Sequence, residues 1–220
     1  AFCIKYNIKF IRENMNIQNR KNKRSNRSTN SKNTEFYIVY TVAFLLIAFF
    51  LYMRFYLNGK SLVWSHDGVP QHLNSLAYYG RYLRGILYTI FVEHRFSIPM
   101  WDLHIGYGSD ILTTLNYYVM GDPLTLLAVF CPSSKTEILY EFLIFLRIYL
   151  AGIAFSRYCF YHKNSRQATF MGCMIYIFAG WTIYAAMKHP YFSNPMIYLP
   201  LILMGIDKIY KKEKPYLFIW

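Results

Sequence analysis

Apolar and polar positions alternate along the chain in blocks much longer than a soluble core requires. The run FYIVYTVAFLLIAFFLYM, Phe36–Met53, has no charge. Arg54 can snorkel toward headgroups and Phe55–Leu57 follow, so residues 36–57 reach the ~20 residues that cross a bilayer. No small-residue cleavage site follows, and the segment reads as a retained anchor rather than a signal peptide. Further apolar stretches at 137–160, 169–187 and 195–208 predict three more spans, and 215–220 opens another apolar segment. The second span carries Arg147 and Arg157. Arg147 is expected to face protein or water rather than lipid.

The long connection 58–136 has its own periodicity. From His72 to Arg95, Leu73, Leu76, Tyr79, Leu83, Ile86, Leu87, Ile90 and Phe91 share one helical arc. Asn74, Ser75, Arg81, Gly85, Thr89 and Glu93 fall opposite, with Arg84 and Arg95 at the edge. This pattern predicts an amphipathic helix, lying in the membrane interface or packing on the mouth of the bundle. FSIPMWDLHIGYGSD and NYYVMGDP follow, rich in Gly, Pro, Asp and aromatics as turn segments are. Pro123–Phe130 is too short to span and predicts a second interfacial or re-entrant helix. The fold class is therefore all-α, a polytopic helical membrane protein.

Composition supports this picture. Of 220 residues, 55% are hydrophobic and only 16% charged, against about a quarter charged in soluble domains. Cys3, Cys131, Cys159 and Cys173 form no CxxC pair, so neither a zinc site nor a redox site is expected. Residues 1–35 hold nine basic residues against Glu13 and Glu35, in a polar tail expected to be disordered. Placed directly before a span, such a tail reads as a cytoplasmic flank leaning on anionic lipid, with no nucleic-acid partner. Two short connections, HKNSRQ and DKIYKKEK, are also basic, whereas 58–136 is balanced and KHPYFSN has one lysine. The positive-inside rule then puts the amino terminus in the cytoplasm, and 58–136 and KHPYFSN outside. Because the chain starts at Ala1, has Met15 as an alternative start and stops within PYLFIW, it reads as the amino-terminal part of a longer protein.

The candidate chemistry lies outside the membrane. Asp67 stands in SHDGVPQH, a few residues past the first span, between His66 and His72. A carboxylate there suits a general base or a metal ligand, and equally a turn aspartate, since D-G is a common turn dipeptide. Asp102 and Asp110 read as turn or capping residues, and Asp122, before Pro123, as a helix N-cap. Lys188 and His189, at the mouth of the bundle, suit a phosphate or simple snorkelling, and Arg81 and Arg84 have the same two readings. No spacing demands a metal, and a divalent cation stays open as an alternative.

The segments WSHDGVPQHLNSLAYYGRYLR, PMWDLHIGYGSDILTTLNYYVMGDPLTLLAVFCP and AMKHPYFSNPMIYLPLILMGIDKI, in that order, resemble the YfhO family of bacterial multi-pass membrane proteins. The resemblance covers roughly residues 59–210 and implies a glycosyltransferase of the C-type membrane fold (GT-C). Such enzymes take a sugar from a polyprenyl-phosphate carrier and pass it to an extracytoplasmic polymer, here a wall teichoic or lipoteichoic acid. It implies Asp67 as catalytic base, with Gln71, Arg81, Arg84, Asp102, Asp110, Asp122, Lys188 and His189 as substrate-binding candidates, and no cofactor. A lipid-linked-sugar flippase or transporter, and a non-catalytic assembly protein, are the competing classes. Clustered acids in a structured outer loop favour the enzyme, whereas a flippase predicts polar residues recurring through several spans.

Overall fold

The computed structural model describes residues 33–214. The expectations for the basic tail before residue 33 and for 215–220 lie outside the described residues. Two compact units divide the chain, residues 1–51 and 52–220.

The described part of the first unit is helical and belongs to α1, Asn33–Leu57. Its 25 residues rise about 37 Å, enough for a hydrocarbon core of ~30 Å. Ile38, Val39, Val42, Leu45, Leu46, Phe49 and Phe50 are each more than half exposed, an apolar face suited to lipid. Phe36, Tyr40 and Phe44 stack at four-residue spacing, with centroids 6.5 and 6.4 Å apart, because residues i and i+4 share a helix face.

The second unit is organised on α4, Thr136–Tyr161. Leu143, Ile144, Arg147, Ile148 and Ala151 bury one stripe of it at three- and four-residue spacing. Against α4 pack α5, Arg166–Ile177, and α7, Asn194–Tyr210. With the short helix before it, α4 forms a second span-length helix, Ser133–Tyr161. The stretch 169–187, expected as one span, holds two helices, α5 and α6 (Gly180–Lys188), that meet at a 45° bend. Ala179 between them is extended, which breaks the hydrogen-bond ladder, and the Thr182 hydroxyl donates to the carbonyl of Tyr176 across the break. Freed backbone groups at membrane depth need such partners. At 17 residues α7 rises about 25 Å, short of the hydrocarbon thickness. His162 Nε2 and Asp207 Oδ2, 2.8 Å apart, join the far ends of α4 and α7.

The segment 58–136 is ordered. After α1 the chain is pinned to α4 through Glu141, whose carboxylate accepts from Leu62 N at 2.8 Å and from the Tyr56 hydroxyl at 3.1 Å. A π-helical turn, Gly68–Leu73, leads into α2, Asn74–Phe91. The proximal part of α2 buries Leu76, Tyr79 and Gly80. The distal part exposes Leu87, Tyr88 and Phe91, so only half of the apolar arc is covered by protein. Two-residue strands, β1 (Trp101–Asp102) and β2 (Ser109–Asp110), pair antiparallel and close a small loop before α3, Ile111–Asn116. Pro123–Phe130 forms a 3-10 helix against α2. Gly80 permits that contact, since a Cβ there would stand 2.7 Å from the Ala128 carbonyl oxygen.

Candidate functional site

The π-helical turn decides what SHDGVPQH can do. Its bonds run from residue i to i+5, and His72 N donates to Asp67 O at 3.1 Å. In so wide a turn both residues i+4 and i+5 lie over residue i, so Gln71 and His72 share a side with Asp67. Asp67 stands at the N-cap of this turn, yet its carboxylate caps no backbone N–H. Gln71 Nε2 donates to Asp67 Oδ1 at 3.1 Å instead, and Tyr118, just beyond α3, donates its hydroxyl to Gln71 Oε1 at 3.0 Å.

A second segment, following α6, completes the cluster. His189 Nε2 lies 3.7 Å from Asp67 Oδ2, within ion-pair reach and beyond a hydrogen bond, while its Nδ1 is 3.0 Å from His72 Nε2. Tyr117, Tyr118 and Tyr191 set their rings around His72 at centroid distances of 5.5–6.4 Å, and His72 is fully buried. Burial first, and His189 second, push its imidazole down to about 4, which Asp67 only partly offsets. Lys188 lays its ammonium over the faces of Trp64, at 4.0 Å, and Tyr184, and donates to the Tyr184 hydroxyl. Trp64 also stacks on His66 and turns its edge to His189. The cluster therefore holds a carboxylate, two coupled imidazoles and an ammonium at an aromatic mouth.

The other expected site residues lie elsewhere. Asp122 is buried: Oδ1 accepts from Leu124 N as the 3-10 helix cap, and Oδ2 accepts from Arg147 at 2.6 Å and Asn194 at 3.0 Å. Arg147 Nε also donates to Asn194 Oδ1, and its guanidinium lies over the Tyr191 ring at 5.0 Å. Asp110 caps α3 by accepting from Thr113 N. Asp102 fastens the small loop: Tyr78 donates to one oxygen at 2.6 Å, and the backbone and ring N–H of His104 face the other at 2.8 Å. These donors, Tyr78 foremost, hold the carboxyl at about 2. Arg84 is spent on the carbonyls of Ala128 and Cys131, at 2.9 and 2.5 Å, where the 3-10 helix ends. Arg81 is exposed, with its guanidinium near the Tyr78 ring. Among the described residues no group of three or more His, Cys, Asp or Glu side chains is arranged to hold a metal ion.

Asp67, Gln71, Lys188 and His189 thus come together, and Arg81, Arg84, Asp102, Asp110 and Asp122 do not join them. Trp64 and Tyr118 belong to the cluster but stood outside the candidate set, and His72, noted only as a neighbour of Asp67, had been given no role of its own. For His72 a signal existed: a histidine five residues after an aspartate falls beside it only in a π-turn, and an α-helical reading puts it off the face.

The family model described as bacterial membrane protein YfhO matches residues 39–220. The chain belongs to the YfhO family. This YfhO member is a helical membrane protein. No curated protein and no solved structure matches it. The YfhO match covers all the residues of the cluster, from Trp64 to Tyr191.

Proposed function

We propose that this YfhO protein is a membrane glycosyltransferase that moves a sugar from a polyprenyl-phosphate carrier to an extracytoplasmic cell-wall polymer such as teichoic or lipoteichoic acid, with Asp67 as the base. The observation that carries the reading is the state of Asp67. Its side chain is held by Gln71 and faced by His189, yet stays 37% exposed. The Asp122 side chain, by contrast, is 6% exposed and paired with Arg147, and Asp102 and Asp110 are taken up by local donors. Of the four aspartates singled out in the sequence, Asp67 is the one positioned by side chains and still open to a substrate.

The chemistry follows from that. An acceptor hydroxyl attacks the anomeric carbon, a new C–O bond forms, and its proton passes to Asp67. The bond from the anomeric carbon to the carrier phosphate oxygen breaks, and polyprenyl phosphate departs with the electron pair. In-line displacement inverts the anomeric centre. Lys188, close to the aromatic mouth, supplies a cation for the leaving phosphate. Arg84, bound to backbone carbonyls, is not assigned that task. The amino terminus is cytoplasmic in this reading, which puts the cluster on the outer surface.

The test is Asp67→Asn in the full protein, with wall-polymer glycosylation measured in cells that express it at the normal level. Loss of glycosylation is expected, and glycosylation at the normal level refutes the base assignment. A flippase would change the sidedness of a labelled lipid-linked sugar without consuming it. Arg147, the charge within a span that favoured a transport path, is neutralised by Asp122, which counts against that class.

A further inference from the structure

We infer that His72 is a positioning residue: it donates its Nε2–H to His189 Nδ1, and so fixes His189 as a neutral imidazole whose own Nε2–H faces Asp67. This deepens the proposed role of Asp67 and rests on it for its catalytic consequence, though not for its geometry. His72 is fully buried, its Nε2 lies 3.0 Å from His189 Nδ1, and its Nδ1 has no partner among the described residues. A neutral imidazole carries its proton on one nitrogen only. A proton on His72 Nδ1 would strand a donor in a buried site, where orphaned N–H groups are rarer than under-used acceptors. The proton therefore sits on Nε2, and the direction of the bond follows. His189 Nδ1 accepts, its proton lies on Nε2, and that nitrogen stands 3.7 Å from Asp67 Oδ2.

The surroundings agree. The groups facing His72 are His189 and the uncharged rings of Tyr117, Tyr118 and Tyr191. Those facing His189 are Asp67, the Trp64 edge and Phe192, and the neighbouring ammonium of Lys188 is turned onto Trp64 and Tyr184. Two consequences follow for the base. A neutral His189 faces Asp67 without cancelling its charge, as an imidazolium would. Nor can His189 take the proton that Asp67 collects, since one of its nitrogens already bears hydrogen and the other is capped by His72. That proton leaves by the exposed side of Asp67.

The measurement is solid-state nitrogen-15 NMR of histidine-labelled full protein in liposomes, with signals assigned from H72Q and H189Q. Protonated Nε2 and unprotonated Nδ1 are expected on both rings from about pH 6 to about pH 8. A protonated Nδ1 on His72, or an imidazolium at His189, overturns the inference. This readout is made on the natural protein and needs no activity. Transfer assays in membrane vesicles add the functional arm. H72F removes the donor, and a freed imidazole takes a proton in the usual histidine range near ~6.5. Activity of H72F at about pH 6, relative to about pH 8, should drop roughly fourfold against the natural protein. H72Q keeps an N–H near the same place and should restore the natural pH profile. An equal loss by H72F at both pH values reduces His72 to packing and overturns the positioning role. If the tautomers hold while Asp67→Asn remains active, the base assignment fails alone.

Discussion

The buried Asp122–Arg147 pair offers the sharpest test of how the outer segment is joined to the membrane helices. The two side chains are 6% and 2% exposed, 2.6 Å apart, and share Asn194 at the start of α7. Asp122→Asn keeps the shape and the oxygen that caps the 3-10 helix, but leaves the Arg147 guanidinium buried without a counter-charge. Removing one member of a buried pair costs about 3–5 kcal/mol. At about 2–4 °C per kcal/mol for a chain of this size, the midpoint should fall by roughly 6–20 °C. Arg147→Met strands the Asp122 carboxylate and should fall similarly. The double variant D122N/R147M, with no charge left to strand, should lose at least about 2 kcal/mol less than the two single losses added together. The buried thiols of Cys159 and Cys173 provide the assay: a dye that fluoresces on reacting with them follows thermal opening of the detergent-solubilised protein. Single variants melting within about 1 °C of the natural protein, or strictly additive losses, would show that the pair holds nothing together.

Two further outcomes follow from the packing and the titration. Gly80→Ala puts a methyl 2.7 Å from the Ala128 carbonyl, so α2 and the 3-10 helix must separate at a cost of about 1–3 kcal/mol; an unchanged melting midpoint would contradict the close approach. The lowered value of His72, about 4 in the folded chain against about 6.5 unfolded, means that the unfolded chain binds the proton first. Its contribution to stability is full above about pH 6.5 and is lost as pH falls toward about 4. H72Q has no such proton, so the difference between natural protein and variant should change within that window and level off below it. Parallel curves across the window would rule out a buried neutral His72.

Long apolar blocks are legible in sequence because a bilayer demands them, and α1 and α4 need little beyond length and apolar content. The bend between α5 and α6 is not legible in that way. Phe178 and Ala179 carry no breaker signal, Gly180 after them is a weak one that helices tolerate, and the hydroxyl that compensates the break, on Thr182, looks like any threonine in a helix. Asp67 stood out because a polar octapeptide follows a span, but its distinction from Asp102, Asp110 and Asp122 depends on where donors point. Asp122 and Arg147 are 25 residues apart, and nothing local announces that one neutralises the other. Arg84 appeared as a free cation at a helix edge, and only the folded 3-10 helix supplies the carbonyls that occupy it.

Tyr191 has a double tenancy. One ring lies over the Arg147 guanidinium at 5.0 Å and also borders His72 at 5.5 Å. The same six carbons therefore form the ceiling of the buried charge network and the floor of the imidazole couple. A substitution at 191 is read out twice, in melting and in the pH response of the cluster, and a flat ring is the one shape that suits both neighbours. The cluster and the anchorage beneath it therefore meet at a single side chain.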